Sequence, residues 1–168
     1  MRSRRGTGRR KATHMQIEPI GIVRNGVREA VDENWGAVVS EIILRDEFAG
    51  GLKGIDDFSH VMVVFQMHAA EFKSDCHLVR RPRDQEDMPL LGIFAQRARH
   101  RPNPIGVTTV AVERIEGSSL VVTGLDAIDG SPVLDIKPHV PVYDSAPKPS
   151  VPEWMGRLMC GYFGGRRT

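Results

Sequence analysis

The chain of 168 residues has two cysteines, Cys76 and Cys160, far apart and with no partner at CxxC spacing. That argues against a disulfide framework and against a zinc site, and makes a reducing, cytoplasmic compartment the expectation. Aromatic residues are scarce at 6% while glycine (17) and proline (11) are frequent, a balance that favours many short elements and turns over a long-helix bundle. No apolar run approaches the roughly 20 residues that cross a bilayer. The longest, residues 61–65, is broken at once by Gln66, so a soluble protein with no membrane partner is expected. No GxGxxG follows a strand, since Gly50, Gly51 and Gly54 have the wrong spacing, and GxxxxGKS/T, HExxH and GxSxG are all absent. A Rossmann-type cofactor site, a P-loop and the usual hydrolase sites are thereby disfavoured.

Charge is unevenly spread. Six basic residues and no acidic ones lie in residues 1–14 (Arg2, Arg4, Arg5, Arg9, Arg10, Lys11), against a net charge of +2 for the whole chain. The body is therefore mildly acidic with a cationic arm. Such an arm is either a disordered, phosphate-seeking tail or an over-extended translation start with Met15 opening the folded part. From Gln16 onward the signals are those of strands. Residues 17–24 and 37–44 are short, rich in β-branched side chains and bounded by turn residues. Residues 59–68 (SHVMVVFQMH) read as a central strand buried on both faces. Residues 47–52 suggest one helical turn, and residues 80–89 (RRPRDQEDMP) an exposed, charged loop. Residues 108–115 and 119–123 form a hairpin pattern around Glu116-Gly117-Ser118, and Asp129-Gly130-Ser131-Pro132 marks a turn before a strand over 133–137. After a proline-rich link, Ser150 and Glu153 have capping-box spacing ahead of a short amphipathic helix. The fold class expected is mainly β: a small single-domain β-barrel over residues 16–145, preceded by the arm (1–15) and followed by a linker and C-terminal helix (146–168), with a few short peripheral helices.

Two stretches carry unusual chemistry. GIFAQRARHRPNPIG (residues 92–106) sets Arg97, Arg99 and Arg101 at alternating positions, which in an extended segment puts three guanidiniums on one side. It is either an anion cradle or a solvated, proline-stiffened loop. LDAIDGSPVLDIKP (residues 125–138) carries Asp126, Asp129 and Asp135, without the regular oxygen-ligand spacing of a calcium loop. Its carboxylates could shape a turn and a strand, or the turn could present backbone amides and Asp129 to a nucleoside. His60 and His68 flank the most apolar strand; lacking a third ligand, they read as core or rim residues, and no metal is expected. Trp35, in a turn-rich segment, would stack on a base or cap the barrel.

Taken together, IGIVRN, GLKGIDDFSHVMVVFQMH, RRPR, GIFAQRARHRPNPIG and LDAIDGSPVLDIKP resemble the TsaA-like (YaeB/TrmO) family over about residues 17–143. The resemblance implies a small β-barrel that binds S-adenosylmethionine without a Rossmann sheet, works as a homodimer, and methylates the exocyclic nitrogen of a threonylcarbamoyl-modified adenosine beside the anticodon of tRNA. The other reading is a non-catalytic module that binds S-adenosylmethionine or RNA. Carried over by position, the cofactor residues are His68 and Ala69, Arg97 and Val107, and the turn Ile128, Asp129, Gly130 and Ser131. Asn34 and Trp35 occupy the loop where bacterial members often have a PRQ-type tripeptide. Ala69 replaces a common glutamine, and His100 stands where phenylalanine is frequent. Longer members carry a C-terminal domain that helps bind tRNA, whereas this chain ends soon after one helix. Arg80, Arg81, Arg83, Arg99 and Arg101, in loops beside that site, are the expected phosphate-facing rim for RNA. No general base is evident: of the titratable groups in reach, His68 and Asp126, the latter reads as structural.

Overall fold

The computed structural model describes residues 15–164; the basic arm, residues 1–14, and residues 165–168 of the tail lie outside them. The β-branched runs become strands: β1 (Gly21–Arg24), β2 (Val39–Leu44), β3 (His60–Gln66), β4 (Val79–Arg80), β5 (Leu91–Gly92), β6 (Ile105–Glu116), β7 (Ser119–Thr123) and β8 (Pro132–Pro138). Three short helices, α1 (Ser74–His77), α2 (Pro141–Asp144) and α3 (Glu153–Leu158), lie outside the sheet. Six strands close into an antiparallel barrel in the order β1-β2-β7-β6-β3-β8, and β4 and β5 make a separate pair. The mainly β, small-barrel reading of the sequence is what the chain adopts.

Alternation of side chains along each strand fills the interior. Val23 of β1, Ile42 and Leu44 of β2, Val61, Val63 and Phe65 of β3, Val110 of β6, Leu120 and Val122 of β7 and Val133 of β8 form one buried cluster. Each such aliphatic side chain contributes about 1.5–3 kcal/mol by leaving water. At one point the packing demands a missing side chain: Gly106 stands opposite Phe65 in the β3–β6 register, and a Cβ there would run into the Phe65 ring. The β6–β7 hairpin turns on Gly117, whose φ of 61° suits glycine.

Three local expectations need correcting. β3 is buried on one face: Val61, Val63 and Phe65 point inward, while Met62 and Val64 are half-buried and His60 and Gln66 exposed. A closed antiparallel barrel has a single interior, so an apolar outer face remains partly in contact with water. The strand buried on both faces is β7, in which Ser119, Leu120, Val121 and Val122 are all covered. The expected capping box does not form, because α3 starts after Pro152 and no side chain caps it, leaving Ser150 outside the helix. Finally, residues 80–89 are no free loop, since Pro82 and Met88 are buried within it.

The registers define one rim of the barrel. Gln66 pairs with Ile105, Ile22 with Pro132 and Val39 with Thr123, so the segments 25–38, 67–70, 97–104 and 124–131 all emerge at the same end. Every cofactor position read from the sequence lies in or beside these segments.

Candidate functional site

The turn before β8 is fastened to the end of β1. Asp129 donates its N–H to the Val27 carbonyl (2.7 Å), Gly130 to Val23 (2.8 Å), and Val23 in turn donates to the Ser131 carbonyl (3.0 Å). The Asp129 carboxylate accepts the N–H of Asn25 at 3.0 Å and of Gly26 at 3.5 Å, and meets the Arg24 guanidinium at 3.4 Å. The Asn25 amide, then that of Gly26 and the charge of Arg24, hold this carboxyl below the usual carboxylate range. Asn25 completes the clasp by donating Nδ2 to Ser40 Oγ (3.0 Å) and the Ala127 carbonyl (2.8 Å). Asn25 was not singled out in the sequence, where nothing in IVRNG distinguishes it from an ordinary turn asparagine.

Across the rim, His68 and Ala69 are exposed just past the end of β3, and His68 Nδ1 lies 3.3 Å from the hydroxyl of Ser131, itself buried. Arg97 donates Nη2 to the Val107 carbonyl at 2.8 Å, which lays its guanidinium along the start of β6. The structure thus brings His68, Ala69, Arg97, Val107 and the 128–131 turn to one end of the barrel.

The three alternating arginines do not form a row, because the chain bends through residues 99–103 and each guanidinium finds a different partner. Arg101 donates to the Gln96 and Ala98 carbonyls (3.1 and 3.4 Å), and Arg99 donates Nε to His100 Nε2 (3.1 Å). The His100 ring stacks on His77 at 4.7 Å and bonds Glu71 through Nδ1 at 2.7 Å; burial holds its pKa below the ordinary histidine value. Among the other rim arginines, Arg80 pairs with Asp84 (2.6 Å), Arg81 donates to the Met88 carbonyl, and Arg83 reaches Asp32, its side chain at 3.5 Å and its carbonyl at 3.1 Å.

The C-terminal tail completes the rim. Asn34, in the left-handed region at φ 62°, donates its N–H to the Gly161 carbonyl (3.1 Å), and Trp35 donates to Tyr162 (3.0 Å). The Trp35 ring is 1% exposed and its indole N–H bonds the Val31 carbonyl, so it offers no stacking face. From the same tail the Tyr162 hydroxyl donates to Asp126 Oδ2 at 2.7 Å, while the Thr108 hydroxyl donates to Oδ1. Burial, and then the Asp126 charge, push the Tyr162 phenol far above its ordinary pKa. Thr108 and Tyr162 were missed in the sequence; the only signal was the aromatic pair Tyr162-Phe163 set between glycines after the helix. Among the described residues no three His, Cys, Asp or Glu side chains are grouped to hold a metal ion, and no helix is long and apolar enough to cross a membrane.

Comparison with known proteins gives a consistent result. Residues 32–145 match the model of the tRNA-methyltransferase O N-terminal domain. An S-adenosyl-L-methionine-binding protein of Archaeoglobus fulgidus is 37% identical over 134 residues, covering 77% of this chain and 93% of that protein. The human tRNA (adenine(37)-N6)-methyltransferase is 42% identical over 94 residues, 56% of this chain and 21% of the human one. A crystal structure of TrmO from Pseudomonas aeruginosa superposes with a TM-score of 0.68 at 32% identity, covering 83% of this chain and 62% of that one. The chain therefore spans about three fifths of the solved TrmO chain.

Proposed function

We propose, because this chain belongs to the tRNA-methyltransferase O N-terminal domain family, that it methylates the exocyclic nitrogen of an adenosine in tRNA, using S-adenosylmethionine. The substrate nucleoside is the threonylcarbamoyl-modified adenosine beside the anticodon. The observation that carries the reading is the convergence at one rim of the segments that match the family, in a barrel with neither a Rossmann sheet nor a P-loop.

The donor set at the rim fits the cofactor. Arg97 is exposed and has N–H groups beyond the one on Val107, suited to a carboxylate. Ile105, Val107 and Ile128 supply partly exposed apolar surface. His68, Ala69, the 128–131 turn and the backbone of Asn34 and Trp35 would complete the cradle. When bound, S-adenosylmethionine supplies an electrophilic methyl group. The chain's own task is chiefly alignment, a contribution that reaches about 7–11 kcal/mol in well-oriented systems. Asp129 acts by fixing the turn: its oxygens are already bonded to Asn25, Gly26 and Arg24.

The tRNA backbone is taken by Arg80, Arg81, Arg83, Arg99 and Arg101. Among these Arg99, whose bond is to a neutral imidazole, is the one best placed to give up its partner for a phosphate. The same reading has the protein act in the cytoplasm as a homodimer. Supporting the dimer, the β4–β5 arm leaves Leu90 (62%) and Phe94 (78%) exposed beside Leu78 and Val79, apolar surface that a second copy would cover.

The test is incubation of the purified protein with methyl-labelled S-adenosylmethionine and tRNA from a strain lacking its own enzyme. Label in the tRNA is the expected result. Cofactor binding with no transfer to any tRNA would leave a binding module in its place.

A further inference from the structure

Two carboxylates stand three positions apart on the rim and are held in opposite ways. Asp129 is bonded by two backbone amides and an arginine. Asp126, half-buried, is held by two neutral hydroxyls, Thr108 on one oxygen and Tyr162 on the other. A carboxylate offers about four lone-pair positions, so among the described residues two remain open on Asp126 and no cation pairs with it. It also stands where three segments meet: the start of β6 next to Val107, the connection leading to Ile128, and the tail that is bonded to Asn34 and Trp35. The first two of these segments, together with the Asn34–Trp35 loop to which the tail is bonded, carry most of the proposed cofactor positions.

We propose that Asp126 takes the proton that the adenosine nitrogen loses on methylation, and that Thr108 and Tyr162 are positioning residues that aim its carboxylate. This rests on the methyltransferase reading above. The nitrogen lone pair forms the new N–CH3 bond as the S–CH3 bond breaks, its electron pair returning to sulfur, which becomes a neutral thioether. The nitrogen then carries one proton too many. That proton passes to an open lone pair of Asp126 and from there to water. Because an alkylated, cationic nitrogen is a strong acid, a hydrogen-bonded carboxylate is base enough to receive it. Tyr162 suits the positioning role, since its raised pKa keeps the phenol a donor at every physiological pH.

The experiment compares the full chain with Asp126→Asn and Tyr162→Phe by calorimetric affinity for S-adenosylmethionine, thermal midpoint, and kcat and KM for tRNA. Asp126→Asn should lower kcat by about 100-fold or more with cofactor affinity unchanged. Tyr162→Phe, which removes one oxygen, should lower kcat by about tenfold and leave both KM values alone. Wild-type kcat in a folded Asp126→Asn protein overturns the assignment. So does a Tyr162→Phe protein that is faster than wild type, since the tail would then be blocking the site. So too does a change confined to KM or the thermal midpoint. Should Asp126→Asn fail to fold, Tyr162→Phe and Thr108→Val carry the same test. A wild-type chain that methylates no tRNA overturns the functional reading itself, and this assignment with it.

Discussion

Asp129 illustrates how a residue at a proposed cofactor rim can have its carboxylate taken up by the protein itself. Its carboxyl is held below the usual range, chiefly by the Asn25 amide. A lowered native pKa contributes stability that is full above the unfolded value of about 3.9 and is lost as pH falls through the native value. Wild type should therefore exceed Asp129→Asn in stability by the same margin across neutral pH, with the margin closing only in acid. Urea denaturation at stepped pH measures it, and a margin that does not change with pH would mean the ionised carboxylate is not what matters. In the sequence the Asp129-Gly130 turn was legible because glycine and aspartate announce it. The partners of Asp129 were not, since Arg24, Asn25 and Gly26 come from the end of the first strand and the bend after it, and reach the turn only after the barrel has closed.

Among elements, strands were the most legible and the tail the least. The β2 run and the β6–β7 hairpin carry their own periodicity and turn residues, so local pattern sufficed. The sequence of β3 suggests burial on both faces because its outward residues Met62 and Val64 are as apolar as its inward ones, and periodicity cannot then separate faces. The intramolecular partners of the rim arginines are likewise illegible, because composition reports charge but not its partner. The tail's bonds to Asn34 and Trp35 run through the backbone carbonyls of Gly161 and Tyr162, which no side-chain pattern encodes. Its docking depends on Gly36, where a Cβ would run into the carbonyl of Phe163. Gly36→Ala should cost about 1–3 kcal/mol through this clash, lift the tail and expose the Trp35 indole. Thermal unfolding together with a red-shifted tryptophan emission would register it; unchanged emission would show that the tail accommodates the methyl group.

For the molecule as a whole, Phe94 is the most exposed aromatic side chain of the β4–β5 arm. Phe94→Glu should convert a dimer to monomers in sedimentation while leaving the thermal midpoint of the barrel nearly unchanged, because β4 and β5 pair with each other in a sheet separate from the barrel. A wild-type chain already monomeric at assay concentration would remove the second copy from the mechanism. The barrel also has a seam. β1 meets β8 through two residue pairs, Gly21 with Val133 and Ile22 with Pro132, the second involving a residue that has no N–H to donate. A nascent chain emerging from the ribosome thus displays β1 as an open edge until nearly all of the domain has been made, and β3 waits for the same late strand. Closure is a long-range event that no early segment can anticipate, so the domain should fold slowly and as one unit after β8 emerges. Chaperones that shield unpaired strand edges should matter most to this protein during that interval of synthesis.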